Sequence, residues 1–327
     1  MSYFLRPNRE LQMMVDDFFA AVSRYNDSEC NAQLSVLLLG SLSKGEGSWI
    51  STENGAKMLS DVEFFVVYPA DFCVLPAAKQ QIEHLAKSSF SGQKSSLFHV
   101  DATFVSSDRL PRMEHKLLIY DAVHYGKWVV GRPLPQRLPQ VTEKNLNRYD
   151  IRDIVDHRAF SVLSYGSILK QAEEFLQYRY VLAKNSLDLL TALSAQYGCL
   201  ATTLAQRAQV LGQLALPQES REYLKQCLNY KANPQAEADL SIAQMHKQFL
   251  NLAQYTADTV CVPAFHAVKH ARHCLRRRAG QFKRSLQYRH FVFKNHQKQL
   301  LLALQREQKL TPSQRRDHLV LHGYPAE

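Results

Sequence analysis

Gly40, Ser41, Asp61, Glu63 and Asp101 are of the types, and stand in the order, that handling a polyphosphate with hard cations requires. A hard divalent cation takes oxygen ligands at about 2.0–2.1 Å, and two or three carboxylates converging from neighbouring strands supply them. Two such ions, about 3.5–4 Å apart, hold a triphosphate and activate an attacking oxygen for in-line displacement. In the run Ser60-Asp61-Val62-Glu63, the alternation of side chains along a strand puts both carboxylates on one face. Asp101 stands alone between the apolar Val100 and Ala102. Gly40-Ser41, with Gly45 further on, forms a turn that brings backbone N–H groups and a hydroxyl close to phosphate oxygens, where a larger residue obstructs. Lys44, in the same loop, is within reach of a phosphate, although a loop lysine commonly just lies in solvent. Taken singly these are weak signals, since an Asp-x-Glu on a strand edge is commonly a solvated face. Their conjunction in order, each on an expected strand or turn, points to an active site.

The elements that must position these residues follow from hydrophobic patterning. Residues 9–24 carry Leu11, Met14, Val15, Phe18, Phe19 and Val22 on one helical face, with Asn26-Asp27-Ser28 closing the helix. Leu34–Leu39 is an apolar run of strand length that ends at Gly40-Ser41, and a loop rich in Gly and Ser is expected from there to Ser60. Val62–Tyr68 reads as the next strand, 76–88 as a helix, and Leu97–Val105 as a third strand with His99, Asp101 and Thr103 on one face. A helix over 111–124 and a short strand over Lys127–Val130 follow. Three prolines between Arg132 and Pro139 exclude regular structure there and mark a linker. Beyond it the composition turns to Leu, Ala, Gln, Lys and Arg, with helical patterns over 150–169, 171–197, 200–213, 219–229 and 236–258. The expected fold class is α+β: a mixed sheet with helices over 1–139, then an all-helical domain over 140–327 that includes a basic segment at 265–309.

The 327 residues suffice for two domains. No apolar run approaches the roughly 18 residues that cross a bilayer, and the acids Glu10, Asp16 and Asp17 interrupt the N-terminus where a signal peptide needs an apolar stretch. A cytoplasmic location is the default expectation. The six cysteines form no CxxC pair or zinc spacing and read as reduced thiols. The net charge of +10 is concentrated: Lys269–Lys309 holds 12 Lys and Arg against Glu307 alone, so the rest of the chain is close to neutral. A polyanion, whether nucleic acid, an acidic membrane surface or an acidic protein, is expected to meet the chain there. Tyr288, His290, Phe291 and Phe293 are interleaved with the charge, as in nucleic-acid-binding segments; a solvated helix face gives the same composition.

The ordered set Gly40-Ser41-x-x-x-Gly45, Ser60-Asp61-x-Glu63 and Asp101 resembles the DNA polymerase beta-like nucleotidyltransferase superfamily. The segment Tyr120–Gly131 (YDAVHYGKWVVG) is similar to the helix–strand that follows the third acid in aminoglycoside and other small-substrate nucleotidyltransferases, and a helical second domain suits the same group. The resemblance covers about the first 131 residues. Two departures stand out: the interval from Ser41 to Asp61 is long, with the excess in Glu46–Met58, and the second acid is Glu63 rather than the more usual Asp. The long loop suggests an unusual acceptor or nucleotide edge.

The resemblance implies an Mg²⁺-dependent enzyme that moves a nucleoside monophosphate from an NTP such as ATP to an acceptor hydroxyl. Asp61 and Glu63 would hold two Mg²⁺ ions and Asp101 would complete the catalytic one. Gly40 and Ser41 would cradle the outer phosphates, and Lys184 falls where related enzymes place a triphosphate-binding lysine. The acceptor stays open among a small molecule, a protein side chain and an RNA end, and no histidine is singled out as base. The other class of function is a catalytically decayed fold that works as a binding protein through its basic C-terminal segment.

Overall fold

The apolar run at 34–39 sends alternate side chains to two destinations, and this lays out the rest of the molecule. A computed structural model describes residues 2–93, 97–165, 172–236 and 239–260; the basic segment, Cys261, Cys274 and the polar end from Thr311 lie outside them. In chain order the elements are α1 (Arg9–Glu29), β1 (Ser35–Leu38), α2 (Gly40–Ser43), β2 (Trp49–Thr52), β3 (Gly55–Met58), β4 (Val62–Tyr68), α3 (Leu75–Ser89), β5 (Val100–Ser106), α4 (Leu117–Tyr125) and β6 (Lys127–Val130). Then come α5 (Arg148–Tyr165), α6 (Ala172–Gln196), α7 (Leu204–Leu211), α8 (Gln218–Ala232) and α9 (Ile242–Thr259). The class is α+β. No helix among the described residues is long and apolar enough to cross a membrane.

The main sheet is mixed, in the order β5-β4-β1-β6, with β4 and β5 parallel and the other two pairings antiparallel. Every residue of β1 is buried because both faces of the sheet are covered, and the strand therefore reads as a continuous apolar run. On one face Val36, Leu38, Val62, Phe64 and Val66 pack with Phe18 of α1 and Ile82 of α3. On the other, Leu37, Leu39, Phe65 and Val67 belong to a buried cluster that continues through Ile119 of α4 to Leu187 and Leu190 of α6 and Phe249 of α9. Burying each such side chain contributes roughly 1.5–3 kcal/mol. The sheet thus shares one core with the helices that follow the proline-rich linker.

Several local features differ from the sequence reading. The helix expected over 111–124 begins only at Leu117, and a 3-10 turn at Pro135–Arg137 lies where the prolines were expected to exclude regular structure. Two further differences bear on the site. Asn26 does not end the first helix, which runs on to Glu29. Asn26 is instead buried, accepting from the Leu34 N–H at 2.8 Å and donating to the Leu34 carbonyl at 3.0 Å, so a helical side chain fixes the chain just ahead of β1. The stretch expected as a loop up to Ser60 contains the hairpin β2–β3, which turns at Glu53-Asn54 with Gly55 at φ 97°. That insertion is tied to the helices: Glu46 Oε1 accepts from the Leu204 N–H, the Ser48 hydroxyl donates to the Lys231 carbonyl, and the Gln235 amide pairs with both backbone groups of Ser51. The polar groups of the long interval serve as a joint between sheet and helices.

Candidate functional site

Register brings the two strand acids together. β4 and β5 run parallel with Glu63 directly opposite Asp101, so both carboxylates project from the face that carries Phe65 and Val67. The helices bury that face at Phe65, Val67 and Val105 but leave Asp101 and Thr103 exposed, so the acids sit where the covered surface opens to solvent. Asp61 precedes β4. Its Oδ1 accepts from the His99 N–H at 3.0 Å, and the Val62 N–H donates back to the His99 carbonyl at the same distance, which closes the strand ends around it.

The Gly-Ser turn meets this group through the antiparallel pairing of β1. Leu38 lies opposite Phe64, and the Leu39 N–H donates to the Glu63 carbonyl at 2.8 Å, which delivers Gly40 to the side of Glu63. Gly40 adopts φ +65°, and a Cβ there would collide with Glu63 Oε2. Both the left-handed backbone and the crowding call for glycine. Ser41 follows, half-buried, in the short α2.

One face of α6 supplies the counter-charge. Tyr180, Lys184 and Asp188 recur at intervals of four and line a single stripe. Lys184 Nζ donates to Asp61 Oδ2 at 3.2 Å, its side chain 35% exposed against 13% for Asp61. Burial lowers the ammonium's pKa, but the attraction of Asp61, Tyr180 and Glu63 outweighs this and holds it well above the ordinary lysine range. Glu63 goes the other way for a carboxylate. Burial raises its pKa, Lys184 pulls it down, Asp61 and Asp101 push it up, Arg158 pulls it down, and the balance is a raised value.

Behind the acids lies a buried polar knot. Lys231 of α8, 4% exposed, donates to the Tyr180 hydroxyl at 2.7 Å and to Ser60 Oγ at 3.4 Å, while Ser60 and Tyr180 share a hydrogen bond at 3.2 Å. Burial pushes the Tyr180 phenol up, yet Lys231, Lys184 and the hydrogen bonds bring it below its ordinary value. These contacts brace the residue before Asp61 against two helices.

Lys44 points elsewhere. Its Nζ donates to Asp121 Oδ2 at 2.6 Å and to the Thr202 carbonyl at 3.0 Å, and it lies over the Tyr125 ring. Its side chain is only 7% exposed. The lysine that sequence alone offered to a phosphate is a buried pin between α4 and the helices beyond the linker. Lys44→Met should lower stability by about 3 kcal/mol, because breaking a buried pair leaves Asp121 without its charge partner. The midpoint of urea unfolding reads this; a variant of wild-type stability with weakened nucleotide binding would return Lys44 to the phosphate.

No family model matches the sequence, and no curated protein does.

Of the residues read from sequence, Gly40, Asp61, Glu63, Asp101 and Lys184 come together, Ser41 adjoins them, and Lys44 is turned away. Among the described residues, no three His, Cys, Asp or Glu side chains are gathered as a metal ion would hold them. Asp61 has both oxygens engaged, one by a backbone N–H and one by an ammonium. Sequence reasoning passed over Tyr180, Asp188, Lys231 and Arg158. For the α6 residues the four-residue spacing was an available signal; Lys231 and Arg158, on α8 and α5, carried none.

Proposed function

We propose that the chain is an Mg²⁺-dependent nucleotidyltransferase of the DNA polymerase beta-like type, which transfers a nucleoside monophosphate from an NTP to an acceptor hydroxyl. The observation that carries this reading is the facing pair Glu63 and Asp101 in parallel register, with Asp61 at the strand entrance and Gly40 packed on Glu63. The donor set suits a hard cation. All three side chains are oxygen ligands, burial first and then the repulsion of Asp61 and Asp101 raise the Glu63 pKa against the pull of Lys184, and a positive charge already rests on Asp61.

In this reading Asp61 and Glu63 would hold the ions, and Asp101 would complete the catalytic one. When bound, the ions neutralise the triphosphate and lower the pKa of the attacking hydroxyl. Asp101, open to solvent, orients the acceptor and takes its proton. The acceptor oxygen bonds to the α-phosphorus, the bond to the bridging oxygen breaks, and pyrophosphate leaves. Gly40 and Ser41 lie against the outer phosphates. Lys184 donates to Asp61 Oδ2; with a cation drawing on that carboxylate, its ammonium would be free to pair with the phosphates. The test is release of pyrophosphate from each NTP in turn, with Mg²⁺, against sugars, aminoglycosides, proteins and RNA. No NTP binding in the presence of Mg²⁺ would sink the reading.

The concentration of basic charge in Lys269–Lys309 favours a second reading, a decayed site on a chain that works by binding polyanions. If that segment binds duplex nucleic acid, replacing Arg276, Arg277 and Arg278 with Gln should reduce the slope of log affinity against log salt by up to about three, since each neutralised phosphate releases counterions. An unchanged slope and affinity in a filter-binding series removes nucleic acid from consideration.

A further inference from the structure

The basic side of the acid cluster extends beyond Lys184. Arg158 of α5 lies close enough to act electrostatically on both Glu63 and Lys184. Its Nε sits 2.8 Å from Asp188 Oδ2, and Asp188 is one turn beyond Lys184 on the same stripe of α6. Asp188 is held from its other oxygen by Arg207 of α7 at 3.0 Å, and Arg207 Nε donates to Thr191 Oγ1 at 2.9 Å. Two arginines therefore share one carboxylate, leaving an excess positive charge beside the site.

The two arginines are not equivalent. Arg207 is 11% exposed and spends its donors on Asp188 and Thr191, which makes it the anchor. Arg158 is 37% exposed. Asp188 meets it only at the Nε edge, as an ion pair without hydrogen-bond geometry, and among the described residues the two terminal nitrogens have no other partner. A guanidinium braced at one edge and open at its fork, beside a group of acids, is arranged to hold an anion that arrives with its own cations.

Resting on the nucleotidyltransferase reading, we infer that Arg158 is a phosphate-binding residue. Its fork takes oxygens of the nucleotide's β- and γ-phosphates, and of the pyrophosphate product, alongside Lys184. Asp188 and Arg207 position it without touching the ligand. The bidentate geometry suits a diphosphate, and the excess charge offsets the part of the triphosphate's charge that metal ions do not.

The experiment is calorimetric titration of the full chain with inorganic pyrophosphate in Mg²⁺, a moiety every NTP shares. Arg158→Gln should weaken pyrophosphate binding by about 10- to 100-fold, as expected for lost hydrogen bonds to a charged group. Arg158→Lys should recover only part of it, because the charge returns without the fork. Asp188→Asn, which loosens the brace but keeps the guanidinium, should fall between wild type and Arg158→Gln. If Arg158→Gln folds and binds pyrophosphate like wild type while Lys184→Met does not, Arg158 is a strut and the inference is overturned with the enzyme reading intact. If wild type binds neither pyrophosphate nor any NTP, the enzyme reading itself falls. Should Arg158→Gln not fold, Arg158→Lys decides, and wild-type affinity in that variant overturns the inference.

Discussion

Glu63→Gln should abolish nucleotide transfer while making the metal-free protein more stable at neutral pH. The loss of activity follows from the proposed role: a carboxamide would not replace the anionic ligand that Glu63 would offer to the metal ions, and several kcal/mol of transition-state stabilisation correspond to a drop of about 10³-fold or more. The gain in stability follows from the site's own electrostatics. Burial and the neighbouring Asp61 and Asp101 raise the Glu63 pKa above its ordinary 4.5, despite Lys184. A carboxyl with a raised folded pKa binds its proton more tightly in the native state. It imposes no penalty below about 4.5, and the penalty grows as pH climbs through the raised value. The melting temperature of Glu63→Gln should therefore exceed wild type at pH 8 and converge on it at pH 4. Asp61→Asn serves as the contrast. It should lose transfer to the same degree without any stability gain, because Asp61 is already paired with Lys184 and with the His99 N–H. Equal stabilisation by both substitutions would mean that Lys184 does not hold Asp61 in solution.

Gly40→Ala should cost about 10²-fold in transfer for the addition of one methyl group. That methyl collides with Glu63 Oε2, and misplacing a reacting or ligating group by about 1 Å is enough for such a loss. The left-handed φ of +65° adds strain of roughly 1–2 kcal/mol in any L-residue with a side chain. The substitution thus acts by displacing a carboxylate, and steric obstruction of the phosphate is secondary. Combining Gly40→Ala with Glu63→Asp, which shortens the acid by one methylene, should relieve the collision and restore part of the activity relative to Gly40→Ala alone. Single-turnover rates with saturating NTP and Mg²⁺ measure this. Wild-type rates in Gly40→Ala would show that the glycine serves the turn alone and that Glu63 tolerates displacement.

Much of this was legible in the sequence, and for a local reason. The apolar run ending at Gly40 identified a buried strand, the run from Val62 marked the strand that carries Glu63, and Lys127–Val130 was bounded by Gly126 and Gly131. Asp61 precedes its strand, so alternation does not place it. Helix and strand periods are written in neighbouring residues, so they survive without knowledge of the fold. The hairpin at Trp49–Met58 was missed although Asn54-Gly55 is a turn signal, because its short strands have little alternation to read.

The sequence by itself determined the class of the fold and most of its larger elements; that Glu63 faces Asp101 was decided by strand register. Tertiary structure alone decided which charges those acids meet. Lys44 and Lys184 are both lysines within reach of a Gly-Ser turn or a helix face, yet one is buried on Asp121 and the other rests on Asp61. Arg158, Arg207 and Lys231 come from three helices and converge beside the same site from up to about 170 residues away in sequence. Charges pair through space with whatever packing brings near, and the strength of the pairing depends on burial that only the assembled core sets. No pattern of neighbours along the chain records that choice.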